Sequence, residues 1–493
     1  MKARVLILMT AAVAAGASAV AQTPPRAGAG EIIRLLLDRS VSVRDTALLM
    51  AQSDTELMRQ ESVYAIRPYG LLERDDRRNA YIPYTGADGS DFHQRIAAAG
   101  VTKLFTSGTG LGLSATDNRF QFATLNQNPM LPSFHRGDLT LSISQDLLRN
   151  GFGYNSRRQY DIATQNINAR RESFADQISR SVATSLVGFW NLALASENVA
   201  IATMQRDDSK RIRALVQQRV QIGLSEDYEN YQWNSIVLSA EGQLRAVQTD
   251  REKQRIDLLR LLKLESGFET PDSVILFDTM PEDVDQEKDT QLALERRLDL
   301  RSLRRLAANA RTAVEITENN LMPSVTFNGR YNSRDWGQRT RQAFGDIGLY
   351  PESSVQLRVD LPMWDEGVKV DARNARIEME RLRLQEELLT QQVRDDMKKA
   401  ILDLRSTFQV LSEAKNSMTQ AQAYYDRAIM RFQQGRAQTF ILVQALNALV
   451  NAKSNLIGAK VAFNVARIQY DLAKNYLFER YGIDPEKPIE GGQ

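Results

Sequence analysis

The sequence predicts a mainly α-helical protein with a small β part, in which long coiled-coil-like helical hairpins form a duplicated repeat. Three observations predict this fold class: two long stretches without proline, short segments in which apolar and polar residues alternate, and an internal repeat that contains both features. The chain has 493 residues and no cysteine, which excludes disulfide scaffolds, thiolate metal sites and cysteine nucleophiles.

The proline-free stretches follow Pro132 and Pro362, and both are rich in Ala, Leu, Gln, Arg and Glu, which have high helix propensity. Residues 368–434 also contain no glycine. At about 1.5 Å per residue they would form a helix about 100 Å long. A helix of that length needs neighbours along its whole side, so we expect a coiled-coil-like bundle.

Four alternating segments predict half-buried strands, because successive side chains of a strand point to opposite faces. These segments are residues 101–115, 139–144, 325–331 and 355–361. Four strands are too few to close a sheet on itself, so their edges need strands from other copies of the chain. Three copies would supply twelve strands, and we expect a twelve-stranded trimeric β-barrel on an α-helical tunnel.

The internal repeat places the same elements in the same order in both halves of the chain. The segment from Ser144 to Gly151 aligns without a gap on residues 360–367, and Gly223 aligns on Gly435. Each half is expected to form a strand, a loop, a strand, a turn, a helix of about 70 residues, a glycine turn and a return helix.

These features divide the chain into nine expected segments. They are a signal peptide (1–21), an N-terminal helical segment with a polar insertion at 72–99 (22–99), barrel strands 1 and 2 (100–148), the first long helical hairpin (149–265), a connector outside the bundle (266–290), a helix opening the second repeat (291–322), barrel strands 3 and 4 (323–362), the second long helical hairpin (363–482) and a tail (483–493).

The N-terminal segment, from Met1 to Ala21, has the pattern of a secretory signal peptide: Lys2 and Arg4, then an apolar core, then Ala-Val-Ala with cleavage expected after Ala21. Removing this segment leaves 61 cationic against 61 acidic residues, a balance that argues against a nucleic-acid partner. No later run of about 18 apolar residues occurs, so we expect no membrane-spanning helix; only a β-barrel could place the chain in a membrane.

Four short motifs occur in order along the chain. They are the segment 144–151, Arg-Leu-Asp-Leu-Arg at 297–301, Leu-Met-Pro-Ser at 321–324 and, at 361–367, the second copy of the first segment. In this order and duplication they resemble the TolC family of outer-membrane factors, the exit ducts of tripartite efflux pumps and type I secretion systems. The resemblance covers nearly everything after the signal peptide. Leu298 departs from it, because the family has proline there.

The resemblance implies a passive channel in the outer membrane of a Gram-negative bacterium, extending into the periplasm without a lipid anchor. It implies a homotrimer in outer-membrane lipid, with a periplasmic adaptor (membrane fusion) protein and an inner-membrane transporter as partners. It implies no cofactor. A secreted coiled-coil scaffold, with a sheet that only caps the bundle, is the competing hypothesis, and extraction by detergent rather than salt distinguishes the two.

The resemblance also implies that the two glycine turns form a periplasmic tip that is closed at rest. In the family, a Tyr and an Arg of the second turn bind an acid of the first turn, and acidic rings follow. Here Phe432 stands at the Tyr position, Arg436 lies one residue early, and Ile441 and Gln444 replace the rings. The candidate tip residues are Gly223, Glu226, Asp227, Glu229, Phe432, Gly435, Arg436 and Gln444.

Two interpretations of the acids in the first turn remain open. Glu229 and its neighbours are a gate that pairs with Arg436, or they are first-turn acids that complement a helix dipole after Ser225 as N-cap. The two histidines, His93 and His135, are too isolated for a zinc site and are expected in loops. No catalytic arrangement of Ser, His and Asp or of paired carboxylates is recognisable, so we expect no enzyme.

Overall fold

The structure is a computed structural model. It describes residues 41–80, 90–124, 133–223, 225–263, 276–281, 283–345 and 350–482, with five further residues between 30 and 37. The expected signal peptide, the tail and the first part of the connector (266–275) lie outside these described residues. The elements are α1 (Val41–Ser62), β1 (Arg67–Ala80), β2 (Ser90–Leu104), β3 (Thr109–Thr124), β4 (Phe134–Asp146), α2 (Tyr154–Gln221), α3 (Asp227–Leu262), α4 (Gln286–Arg296), α5 (Leu298–Asn320), β5 (Ser324–Gly337), α6 (Thr340–Ala343), β6 (Tyr350–Asp360), α7 (Glu366–Gln433), α8 (Thr439–Ala473) and α9 (Leu477–Tyr481).

The long helices reproduce the predicted repeat. Helices α2 and α7 have 68 residues each, and the return helices α3 and α8 have 36 and 35. The first and last residues of α2, Tyr154 and Gln221, align on those of α7, Glu366 and Gln433, at the same offset that relates the two turn glycines. The long helix expected in each half is therefore confirmed.

The strands form one antiparallel sheet in the order β1-β2-β3-β4-β5-β6, so the described residues contain six strands rather than the expected four. The two additional strands fall in the segment expected to be helical with a polar loop at 72–99. Alternation could not reveal β1, because charged residues stand on both of its faces, as Arg74 and Asp75 show. Backbone pairing with β2 along its length holds it in the sheet.

The expected first strand, residues 101–115, is in fact the end of β2, a turn and the start of β3. The Phe105 amide donates to the Thr109 carbonyl, and the Gly108 amide donates to the Phe105 carbonyl, each at 2.9 Å. Gly108 has a φ of +73°, which glycine adopts at little cost. The alternating pattern continued across the turn and concealed it. The other three expected strands are confirmed, with β6 ending one residue early, at Asp360.

The two faces of the sheet differ in polarity. The strand register places the alternating apolar residues on one face, where Leu113 opposes Leu141 and Phe327 opposes Leu357. This apolar face consists of Val101, Leu111, Leu113, Leu139, Leu141, Ile143, Val325, Phe327, Tyr331, Val355, Leu357 and Val359. Much of it is exposed in the single chain, including 51% of Leu141 and 61% of Leu357.

The opposite, polar face is concave. It lines a cavity of about 820 Å³ with small or polar residues of strands β3 to β6, among them Gly112, Ser142, Asn328 and Gln356. Thr140 and Asn332 also lie on this face, where their side chains are joined by a hydrogen bond of 3.2 Å. A sheet with one exposed apolar face and one wet concave face is the pattern that the alternation predicted.

The chain divides into two compact units. We call the first the turn unit; it contains the described residues between Thr184 and Met280 and those of Ser406–Val465, with both glycine turns. We call the second the sheet unit; it contains the described residues of Val41–Ala183 and Pro281–Arg405 and the segment that begins at Ala466.

In the sheet unit the second repeat opens with two helices rather than the one expected from residue 291. Arg297 is extended, with φ −60° and ψ 122°, and separates α4 from α5. Leu298, which replaces the proline of the family, is the first residue of α5, a position that accepts either residue. Arg297 binds Asp299 at 2.6 Å and Asp396 at 3.0 Å. Burial alone would raise the pKa of Asp299, but the bonds from Arg297 hold that pKa below its usual value.

Helix α8 is, among the described helices, long and apolar enough to cross a membrane, with a mean hydropathy of 1.2 in its most apolar window. This differs from the expectation of no such helix after the signal peptide. Its residues Leu442, Leu446 and Leu449 are at most 2% exposed and pack in a core with Trp233. We therefore assign α8 to the helical bundle of the turn unit rather than to a membrane span.

Candidate functional site

Two short turns connect the long helices of each hairpin, the first between α2 and α3 and the second between α7 and α8. Gly223 and Gly435 have φ values of +70° and +77°, in the left-handed region that favours glycine after a helix. Apart from each glycine and its chain neighbours, no described atom lies within 4 Å of the position that a Cβ would occupy there. Glycine is therefore favoured for the backbone conformation rather than for space, at both of the turns that the sequence predicted.

Phe432 anchors the second turn from the inside. It is 1% exposed and belongs to a core cluster that contains Trp233, Ile212, Val216 and Leu446. The sequence identified Phe432 as a residue without the hydroxyl of the family tyrosine. Its burial shows a different role, because the ring ties the end of α7 to the other three helices of the turn unit.

Arg219, which the sequence analysis did not identify, links the two turns. Its guanidinium lies 4.5 Å from the centroid of the Phe432 ring, and its Nη1 donates to the Phe432 carbonyl at 3.2 Å. That carbonyl lies in the last turn of α7, where the carbonyls lack partners within the helix. A cation there also complements the helix dipole. Arg219 of the first repeat is thus a cation that bonds to the end of α7.

Glu229 provides a second link between the turns. Its Oε2 accepts a hydrogen bond of 2.6 Å from Oγ1 of Thr439, the first residue of α8. Thr439 is 3% exposed, so the bond lies at the edge of the core. Glu229, which stands at the position of the first-turn acid in the family that the sequence resembles, therefore does bond to the other hairpin. Its partner is the hydroxyl of Thr439 rather than the expected Arg436.

The other two acids stand at the start of α3. Glu226 is the N-cap residue, without a capping bond from its side chain, and Asp227 lies in the first turn. The expected N-cap, Ser225, is therefore one residue early, because Glu226 already has the extended backbone of a cap, with φ −79° and ψ 146°. Both acids are exposed and complement the dipole of α3.

Arg436 is not brought to these acids within one chain. Its side chain is exposed, and its described contact is the hydrogen bond from its backbone amide to the Arg431 carbonyl, at 2.9 Å. Gln444 is exposed on α8, and Ile441, one turn earlier, is 36% exposed. Among the described contacts of the single chain, the pair expected between Arg436 and the first-turn acids is therefore not formed.

Large apolar side chains in and beside the two turns are exposed to solvent. Ile222, Tyr228, Tyr231 and Phe440 are between 58% and 72% exposed. A group of exposed apolar residues beside charged ones is typical of a surface that contacts another protein.

The two histidines lie on strands rather than in loops. His93 Nδ1 is 2.7 Å from Asp76 Oδ1, and His135 Nδ1 is 3.0 Å from both carboxylate oxygens of Asp117. Within the described part of the chain, no group of three or more His, Asp or Glu residues is placed to hold a metal ion.

No family model matches this sequence, and no curated protein sequence matches it either. Solved structures match over most of its length. The Campylobacter jejuni CmeC outer membrane channel is 14% identical, with a TM-score of 0.67 and coverage of 99% of this chain and 97% of that chain. The outer membrane protein VceC from Vibrio cholerae is 14% identical, with a TM-score of 0.66 and coverage of 90% and 95%.

The Neisseria gonorrhoeae MtrE outer membrane channel, in its open state, is also 14% identical, with a TM-score of 0.61 and coverage of 91% of this chain and 89% of that chain. Likenesses at this identity establish a shared fold over nearly the whole chain.

Proposed function

We propose that this chain, which has the fold of the TolC-family outer-membrane efflux channels as its motifs predicted, is itself an outer-membrane exit duct. The duct belongs to a tripartite efflux or type I secretion system and is a passive conduit without a catalytic step. One observation carries the proposal: an exposed apolar face of the sheet lies opposite a concave polar face, as in a wall between lipid and water.

The sheet is proposed to close only between copies of the chain. Among the described residues, strands β1 and β6 each pair on one side, which leaves two unpaired edges in the described sheet. Six strands alternate in direction, so β6 of one copy and β1 of the next would be antiparallel. Three copies would supply eighteen strands, rather than the twelve expected from four per chain. That number is even and within the range of outer-membrane barrels.

The proposed duct lies in the outer membrane, extends into the periplasm, and works with a periplasmic adaptor protein and an inner-membrane transporter. The turns of the turn unit are proposed as the periplasmic end. The exposed apolar side chains around them, Ile222, Tyr228, Tyr231 and Phe440, support contact with another protein there.

The orientation of the sheet can be tested by cysteine labelling, because the chain has no cysteine of its own. We expect a membrane-impermeant maleimide to modify Gln356→Cys, on the concave polar face, and to spare Leu357→Cys, on the apolar face, since lipid excludes the reagent from that face. The measurement is the labelled fraction in outer-membrane vesicles, with denatured protein as the control for reactivity. Labelling of position 357 but not 356 would reverse the two faces.

The gate hypothesis predicts an effect on conductance. In a trimer, Arg436 of one copy is proposed to face Glu226, Asp227 and Glu229 of the next. Arg436→Glu should then raise single-channel conductance in planar bilayers, because it sets like charges against these acids, and Arg436→Ala should raise it less. Exposed ion pairs contribute little free energy, so adaptor docking can open such a gate.

Arg431→Glu is the matched control for the gate, because it makes the same charge change at an exposed position five residues earlier. Conductance of Arg436→Glu that equals wild type, with an intact trimer, would reject the gate and leave the acids as helix caps.

Extraction from membranes tests the proposed function as a whole. A barrel protein should remain with outer membranes through high salt and osmotic shock and leave only with detergent. Release by salt alone would favour the secreted coiled-coil scaffold.

A further inference from the structure

A row of basic side chains crosses four strands of the sheet. In the strand register Arg74 lies directly opposite Arg95, Arg95 opposite Arg119, and Arg119 opposite His135. We call these four residues the basic row. They lie at the end of the strands away from the junction of β4 with α2.

The basic row is on the same side of the sheet as the apolar face. Arg119 and Leu113 are both odd-numbered residues of β3, and His135 and Leu141 are both odd-numbered residues of β4, so each pair points the same way. From His135 to Leu139, the residue of the apolar face nearest to it on β4, is four residues, or about 13 Å along the strand and less in height for a tilted strand. The basic row therefore lies just beyond the apolar face.

Arginines that oppose each other directly on neighbouring strands repel, and their Cβ atoms are only about 4.5–5.5 Å apart. Acids offset the two ends of the row: Asp76 binds Arg74 at 2.6 Å, and Asp117 lies 3.0 Å from His135. For Arg95 and Arg119, in the middle, the described residues show no ion pair with a carboxylate, and Arg119 donates to Ser133 Oγ at 3.3 Å.

The middle of the row opens into a shallow groove. This groove has a volume of about 340 Å³, and its lining includes Leu72, Arg74, Arg95, Ala97, Arg119 and His135. Two acids also border it: Glu73, which pairs with Ile96 and alternates to the other face of β1, and Asp117, whose carboxylate is engaged by His135 and by Thr340 Oγ1 at 2.8 Å. Adjacent guanidinium groups above apolar side chains match a group that combines phosphate with acyl chains.

We propose that the basic row binds the phosphate groups of a phosphorylated lipid headgroup in the outer leaflet of the membrane. The inference rests on the proposed function, because it takes the apolar face to be in lipid. The phosphate bridges Arg95 and Arg119 through paired N–H···O bonds, and the acyl chains continue along the apolar face below. Binding removes the repulsion between the two arginines.

The test measures lipid binding to the full mature protein in detergent. Three probes are used: lipid A, which is a glycolipid with two phosphates; phosphatidylethanolamine; and inorganic phosphate. Binding is measured by native mass spectrometry and by the shift in unfolding temperature. We expect lipid A to bind the wild type at least tenfold more tightly than the double variant Arg95→Gln/Arg119→Gln. The variant Arg95→Lys/Arg119→Lys should be intermediate, because it keeps the charge and loses the paired bonds.

Arg330→Gln is the control, because Arg330 is an exposed arginine on the opposite face of β5, and it should bind lipid A like the wild type. Equal binding of lipid A to wild type and to the Gln double variant would overturn the inference. If inorganic phosphate raises the unfolding temperature as much as lipid A does, the row is a site for a free anion and the inference is overturned. If phosphatidylethanolamine raises it as much as lipid A does, the row is a general lipid contact and the inference is overturned as well. Conductance of the same samples distinguishes failure of this inference from failure of the proposed function. If the protein conducts but does not prefer lipid A, only lipid binding by the basic row is rejected. If the protein forms no channel in the bilayer, the proposed function is rejected.

Discussion

Phe432→Ala is expected to destabilise the helical hairpins around the second turn by about 3–5 kcal/mol, the usual cost of removing a buried phenylalanine ring. The ring is 1% exposed among Trp233, Leu442 and Leu446, and it also carries the Arg219 guanidinium on its face. Its loss leaves a cavity and removes the contact that orders Arg219. Hydrogen exchange of the α7 and α8 amides near the turn measures this local opening free energy.

Phe440→Ala is the matched control, because Phe440 lies beside the same turn, as the second residue of α8, and is 58% exposed. It should change the same opening free energy by no more than about 0.5 kcal/mol. Equal effects of the two variants would show that Phe432 does not anchor the turn. A selective effect of Phe432→Ala on conductance, at unchanged exchange, would instead indicate a role in the gate.

Leu141→Arg is expected to destabilise the membrane-inserted protein by about 2–4 kcal/mol if Leu141 lies near the midplane of the bilayer, because it puts a charge into lipid. Leu141 is on β4, an inner strand, between Leu113 of β3 and Tyr331 of β5. The measurement is the denaturant midpoint for folding into lipid vesicles. Trimer formation in the cell should fall in parallel.

Thr140→Arg is the control that shows whether the loss of stability depends on the face of the sheet that carries the arginine or only on placing an arginine in β4. Thr140 is the next residue of the same strand and faces the concave polar side, where it bonds to Asn332. An arginine there reaches water, so we expect a loss of about 1 kcal/mol, the usual net value of one hydrogen bond. A larger loss for Thr140→Arg than for Leu141→Arg would contradict the proposed orientation of the sheet.

Most of the helical part could be predicted from the sequence, because long runs of strong helix formers joined by a short glycine turn leave few alternatives. The strands were harder. β1 carries charged residues on both faces, and the first half of β2 carries polar residues on both faces. Hydrogen bonds to neighbouring strands, rather than a periodic pattern, therefore define these two strands. The turn at Gly108 was missed because apolar residues kept the same parity on both sides of it.

The glycine turns of the candidate site could be predicted, since glycine at a helix end has a backbone reason. The contacts between the turns could not. Arg219 and Phe432 are 213 residues apart, and Glu229 and Thr439 are 210 apart. Only the packing of one hairpin beside the other brings these pairs together. A family pattern directed attention to Arg436, whose side chain is exposed in the single chain.

The pairing of β4 with β5 has a consequence for the order in which the sheet can form. Strands β1 to β4 are consecutive hairpins and can assemble from neighbouring segments, whereas Thr326 bonds to Asp146 across 180 residues of chain. Such distant pairing slows folding more than it lowers stability, because closure entropy grows only with the logarithm of the intervening length. Until the second half has been translated, β4 presents an unpaired edge beside the apolar face. For the exported protein that we propose, this predicts that nascent chains depend on a periplasmic holdase for the whole interval between the emergence of β4 and that of β5.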